Sequence, residues 1–64
     1  MKITAAGLRK GDVISPLRLQ VVTTPEADFD GAVLAILRPV GGLVIQAVRY
    51  PPDEQLDVSR PGQD

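Results

Sequence analysis

Residues 32–50 read AVLAILRPVGGLVIQAVRY, and the fold turns on how this stretch divides. Two runs rich in β-branched and apolar side chains, residues 32–38 and 43–50, flank Gly41-Gly42. That pattern signals a β-hairpin, because a tight two-residue turn needs the positive φ that glycine reaches without strain. Pairing Val40 with Leu43 sets a register. One face then carries Leu37 opposite Gln46, Ala35 opposite Val48 and Val33 opposite Tyr50. The other carries Arg38–Ile45, Ile36–Ala47 and Leu34–Arg49. The face with both arginines is expected outside, and Val33, Ala35, Leu37, Val44 and Val48 inside. A slip of one residue would exchange the two faces.

Working outward, Lys2-Ile3-Thr4 suits a short first strand, and Thr4 can cap one irregular turn through residues 5–8. Gly7 and Gly11 argue against a longer helix there. Val13-Ile14 begins a second strand after Gly11-Asp12. Leu17, Leu19 and Val21 alternate with Arg18 and Gln20, the signature of a half-buried strand over residues 17–24. Residues 25–31 (PEADFDG) form a turn-rich loop. Pro51-Pro52 stops pairing, so residues 51–54 suit one 3₁₀ turn before a last strand over residues 55–58. Residues 59–64 hold Pro61-Gly62 and no apolar side chain, and are expected to form a disordered tail.

The reading is therefore a single all-β domain over residues 1–58, a five-stranded SH3-like barrel with one short 3₁₀ turn before the last strand. The lead-in Ala6-Gly7-Leu8-Arg9-Lys10-Gly11-Asp12-Val13-Ile14 resembles the start of the first strand in such barrels, KOW-type and Hint-type domains among them. The ending Arg49-Tyr50-Pro51-Pro52-Asp53-Glu54-Gln55-Leu56-Asp57-Val58 resembles uncharacterised small proteins of actinobacteria and their phages. The resemblance implies a fold. The basic loop that KOW domains use on RNA is missing, as are the Cys and His that Hint domains need.

Composition excludes several chemistries. The 64 residues contain no Cys and no His, so there is no disulfide, no thiolate or imidazole zinc site, and no Cys–His or Ser–His–Asp catalysis. No cofactor or small-molecule substrate is expected. Phe29 and Tyr50 are the only aromatics, too few for a polyproline groove or a base-stacking platform. No apolar run has membrane-spanning length and no signal-peptide pattern opens the chain, so a soluble, cytoplasmic protein is expected.

Four residue groups invite functional readings. Glu26, Asp28 and Asp30 with Gly31 imitate half of a calcium loop, but the twelfth position is Leu37 rather than a bidentate Glu. A polar turn with Gly31 at positive φ accounts for the same residues. The same two aspartates have no deep cleft in which to do acid–base work. Tyr50-Pro51-Pro52 reads as a polyproline ligand or, more simply, as closure of the barrel with Tyr50 beside Val33. Residues 1–25 hold Lys2, Arg9, Lys10 and Arg18 against Asp12, a balance of +3, whereas residues 26–64 carry three Arg against seven carboxylates, −4. The four cations are either a weak nucleic-acid contact or a solvated face that guards edge strands. Lastly, the outer hairpin face carries Leu34, Ile36 and Ile45, rimmed by Arg38 and Arg49. A strand that is apolar on both sides is covered on both sides. Either the loop of residues 25–31 folds over it with Phe29, or a partner does. A domain this small buries only about 60% of its unfolded surface. The expected function is thus a non-enzymatic binding or assembly module, self-associating through this face. The alternative is a nucleic-acid-binding barrel using the basic first quarter.

Overall fold

The computed structural model describes residues 1–60. They form one antiparallel sheet of seven short strands: β1 Lys2–Thr4, β2 Val13–Ile14, β3 Leu19–Val21, β4 Glu26–Ala27, β5 Val33–Pro39, β6 Gln46–Tyr50 and β7 Gln55–Ser59. The order across the sheet is β1-β7-β2-β3-β5-β4, with β6 on the other flank of β5. The expected five-stranded closed barrel is corrected to seven strands in an open sheet. β3 and β4 pair with successive parts of β5, so one row of the sheet is broken into two strands around Thr23, Thr24 and Pro25. Part of the supposed loop of residues 25–31 is therefore strand.

The alternation in β5 comes out as read: Val33, Ala35 and Leu37 are buried, and Leu34, Ile36 and Arg38 are half-buried. The hairpin register also holds from Val33↔Tyr50 to Leu37↔Gln46. Beyond that point it fails. The amide of Val40 donates to the carbonyl of Arg18 at 2.9 Å instead of pairing with Leu43, and Gly42 donates to Pro39 at 2.8 Å. Arg38 and Pro39 pair with Gln20 and Leu19 of β3, and Pro39 has no amide hydrogen to give to a ladder. The tight Gly41-Gly42 turn becomes a wide loop, with Gly41 at φ 82°. Val44, expected in the core, is 76% exposed.

The core joins β5 to the other half of the sheet. Val21, Leu37 and Val58 are fully buried, with Ile14, Val33, Ala35 and Leu56 around them. Val48 and Tyr50 pack against this cluster from β6. The 3₁₀ turn lies at Ala5–Gly7, after the first strand and not before the last. Thr4 is extended there but makes no side-chain cap. The turn is held instead by Ala5 and Ala6 amides donating to the carbonyls of Glu54 and Pro52, at 2.8 and 3.0 Å. That docks Ala5 and Leu8 into the core. Residues 51–54 form a simple turn closed by the Glu54 amide on the Pro51 carbonyl.

The expected tail is corrected at its start. Ser59 belongs to β7 and pairs with Val13. Arg60 donates through Nε to Asp12 Oδ1 at 3.0 Å and through Nη2 to the Gly7 carbonyl at 2.9 Å. Asp12, 2% exposed, also takes the Arg9 amide on Oδ2 at 3.0 Å. This is a partly buried charge-assisted network that ties the end of β7 to the lead-in of β2. Residues 61–64 lie outside the described residues.

Candidate assembly surface

β5 is the axis of the site. Its two ends carry different chemistry, because the strand ladder delivers a different loop to each. At the Val33 end, the turn after β4 is closed by three bonds. The Asp28 amide donates to the Ala32 carbonyl at 2.7 Å, the Gly31 amide to the Asp28 carbonyl at 2.9 Å, and the Phe29 amide to Asp28 Oδ1 at 2.6 Å. Gly31 has φ 83°, the conformation expected of it. Phe29 stands at the tip, 94% exposed. It does not fold over the hairpin.

Arg49 of β6 reaches this turn. Its Nη2 lies 2.6 Å from Asp28 Oδ2 and 3.4 Å from Asp30 Oδ2. The calcium-loop resemblance is thereby explained in another way: a guanidinium pairs with the two carboxylates where a cation would sit. Among the described residues no group of three metal-ligating side chains is assembled.

At the Pro39 end, Arg18 apart, the large exposed side chains are apolar. Leu43 is 89% exposed and Leu17 75%, and Val40, Val44 and Ile45 are exposed as well. The Val40–Arg18 bond brings the loop of residues 40–45 beside the β2–β3 turn. Arg18 sits in that turn at φ 56°, a left-handed conformation uncommon for a residue with a Cβ. The backbone of residues 43–45 takes part in no ladder, and β6 pairs on one side only, with β5.

The expected interface residues therefore divide. Leu34 is half-buried between β4 and β6, and Ile36 is half-buried between β6 and Val22, whose amide donates to the Ile36 carbonyl. Ile45 is exposed but belongs to the loop. Arg38 is half-buried, and its Nε is buried without a hydrogen-bond partner among the described residues. Arg49 is committed to Asp28 and Asp30. The exposed apolar surface has moved from the hairpin face to the hairpin tip. Leu17, Phe29, Leu43 and Val44 were missed as surface residues. Pro39 was the available signal, since a proline near the end of a strand interrupts the ladder.

The four cations of the first quarter are exposed and spread by the register. Lys2 is directly opposite Asp57, whose carboxylate lies 3.3 Å from the Met1 ammonium. Arg9 and Lys10 precede the Gly11 amide that bonds Val21, and Arg18 lies at the opposite end of β3. Tyr50 caps the core beside Val33, as read. Its hydroxyl pKa is raised from 10.0, first by burial and then by the nearby Glu54 carboxylate. No helix among the described residues is long and apolar enough to cross a membrane. No family model, curated protein or solved structure matches the chain.

Proposed function

We propose that this chain is a non-enzymatic assembly module that associates with further copies of itself through the apolar tip of the 32–50 hairpin. One observation carries the reading. Leu43, Val44 and Ile45 are three consecutive large apolar side chains, all exposed, on backbone that joins no ladder. Contiguous apolar patches on small soluble domains mark interaction sites. The adjoining outer edge of β6 lacks a proline, and its only charge, Arg49, is drawn off to Asp28 and Asp30. Unguarded edges of this kind invite association. The resemblance to SH3-like modules is kept as part of the proposal, resting on the lead-in of residues 6–14.

The test is the solution mass by light scattering at micromolar to hundred-micromolar concentration. The wild type is expected above monomer mass, rising with concentration. Val44→Asp is expected to return it to monomer, because a carboxylate buried without a partner is costly. Val44 is a cleaner probe than Ile36, whose half-buried side chain also supports the fold. A monomeric wild type throughout that range would reject the proposal.

A further inference from the structure

This inference rests on the assembly reading and names what covers the apolar tip: we infer that the Phe29 turn of one copy docks on the Leu17–Val40–Leu43 end of the next, so that copies associate head to tail. Three observations converge on it.

The first is that the two surfaces lie at opposite ends of one strand, paired on both sides. The Phe29 turn follows β4, which pairs with Val33 and Leu34. The receiving end surrounds Pro39 and Val40, which meet Leu19 and Arg18. Seven residues of β5 (Val33–Pro39) separate them, about 20 Å of extended chain. A molecule cannot close this contact on itself, but two copies can make it.

The second is charge complementarity. The Phe29 turn carries Glu26, Asp28 and Asp30 against Arg49, an excess of negative charge. The receiving end carries Arg18, with Arg38 behind it. No carboxylate occurs in residues 13–22 or 35–46, the segments that build that end, and Asp57, whose carbonyl takes the Ser15 amide, has its carboxylate 3.3 Å from the Met1 ammonium. Opposite excess charges rim two apolar centres, so docking one on the other pairs both layers at once. Two copies of the same end would set like charges against each other, which complementary interfaces avoid.

The third is preorganisation. Phe29 is the kind of aromatic anchor that dominates interface energetics. The three hydrogen bonds of its turn and the Arg49 clamp already hold the backbone beneath it. Little loop entropy is then lost on binding, which favours affinity. A fully exposed aromatic on an ordered turn is otherwise without a role in this fold.

Such an interface is heterologous. A joined pair keeps one free Phe29 turn and one free receiving end, so assembly extends to rings or open filaments instead of stopping at a two-fold dimer.

The experiment uses two surface variants of the whole chain, Phe29→Ala for the tip and Leu43→Asp for the receiver. Both positions are exposed, and an unchanged thermal midpoint verifies folding. By light scattering, each variant alone is expected to be monomeric where the wild type is oligomeric. An equimolar mixture is expected to give a 1:1 dimer and nothing larger, because only one productive pair of surfaces remains. Asp30→Arg and Arg18→Asp should each weaken association about tenfold, and the two together in one chain should restore most of it. Phe29→Ala retaining the wild-type mass while Leu43→Asp becomes monomeric would overturn the head-to-tail arrangement. It would leave the assembly reading standing, with the hairpin tips meeting each other. Two monomeric variants that form no dimer on mixing would also overturn it. A wild type that is monomeric throughout removes the assembly reading itself.

Discussion

β6 and β7 are consecutive strands of five residues each, Gln46–Tyr50 and Gln55–Ser59, joined by a four-residue turn. On composition β6 and the run before it are the better strand, with Leu43, Val44, Ile45 and Val48 against Leu56 and Val58 alone. Burial is reversed. β7 is paired on both sides, by β1 and β2, and alternates cleanly with Leu56 and Val58 in the core. β6 has a neighbour on one side only, none of its residues is fully buried, and the apolar run leading to it lies open. The difference teaches that apolar content decides whether a segment can be a core strand. The number of neighbours decides whether it is one.

The sharpest way to break this comparison is to truncate the two strands in parallel. Leu56→Ala in β7 is expected to cost about 2–5 kcal/mol, the range for a buried leucine that leaves a cavity. In a 64-residue domain that is enough to unfold much of the population at room temperature. Val48→Ala in β6, half-buried, is expected to cost about 1 kcal/mol, and Val44→Ala in the loop under about 0.5. Urea denaturation gives all three values. Equal costs at positions 48 and 56 would mean that β6 is covered as fully as β7.

The end of β7 gives the next effect. Arg60→Ala removes the partner of Asp12 while leaving that carboxylate buried with only the Arg9 amide. A loss of about 2 kcal/mol is expected, below the cost of breaking a fully buried pair, because Arg60 retains some exposure. Deleting residues 61–64 while keeping Arg60 is the control. If Arg60→Ala leaves the denaturation midpoint unchanged, the network adds nothing to stability.

A smaller effect separates the strands by pH. The hydroxyl of Tyr50, at the end of β6, titrates above its ordinary value of 10.0 in the folded chain because burial and Glu54 disfavour the phenolate. A proton held more tightly when folded means that this stabilisation is complete below pH 10. It is lost as pH rises from there through the folded value. Melting temperature should therefore fall as pH rises above 10 in the wild type. Tyr50→Phe should flatten that fall, since no other tyrosine is present. An equally steep fall in the variant would assign the alkaline loss to other groups.

The smallest effect is at the Phe29 turn. Arg49→Ala releases Asp28 and Asp30, but the arginine is half in solvent. The expected loss of stability is under about 1 kcal/mol. Its consequence should be larger in association, through a less ordered tip, than in folding.

Much of β5 was legible in the sequence. A period of two in Val33, Ala35 and Leu37 can be satisfied by one burial pattern only, and the partner register from Val33 to Leu37 followed from it. Gly31 and Gly11 adopt positive φ as their turn positions require. The extent of the hairpin was not legible. Val40 bonds Arg18, 22 residues away in sequence, and no local propensity records that competition. Phe29 illustrates the same limit. A large ring beside an apolar face was expected to cover it, yet Phe29 stands 94% exposed at the end of a turn closed by its own hydrogen bonds.

By itself, then, the sequence determined the short-range features: an all-β chain, the buried face of β5, the turns at glycine and proline, and the absence of thiol and imidazole chemistry. These depend on residue type, spacing and local backbone freedom. The tertiary structure alone decided which strands acquired two neighbours, that Asp12 would meet Arg60 across 48 positions, and that the apolar surface would open at the hairpin tip. Those outcomes depend on which of several distant partners captures each backbone group, a competition settled only when the whole sheet assembles.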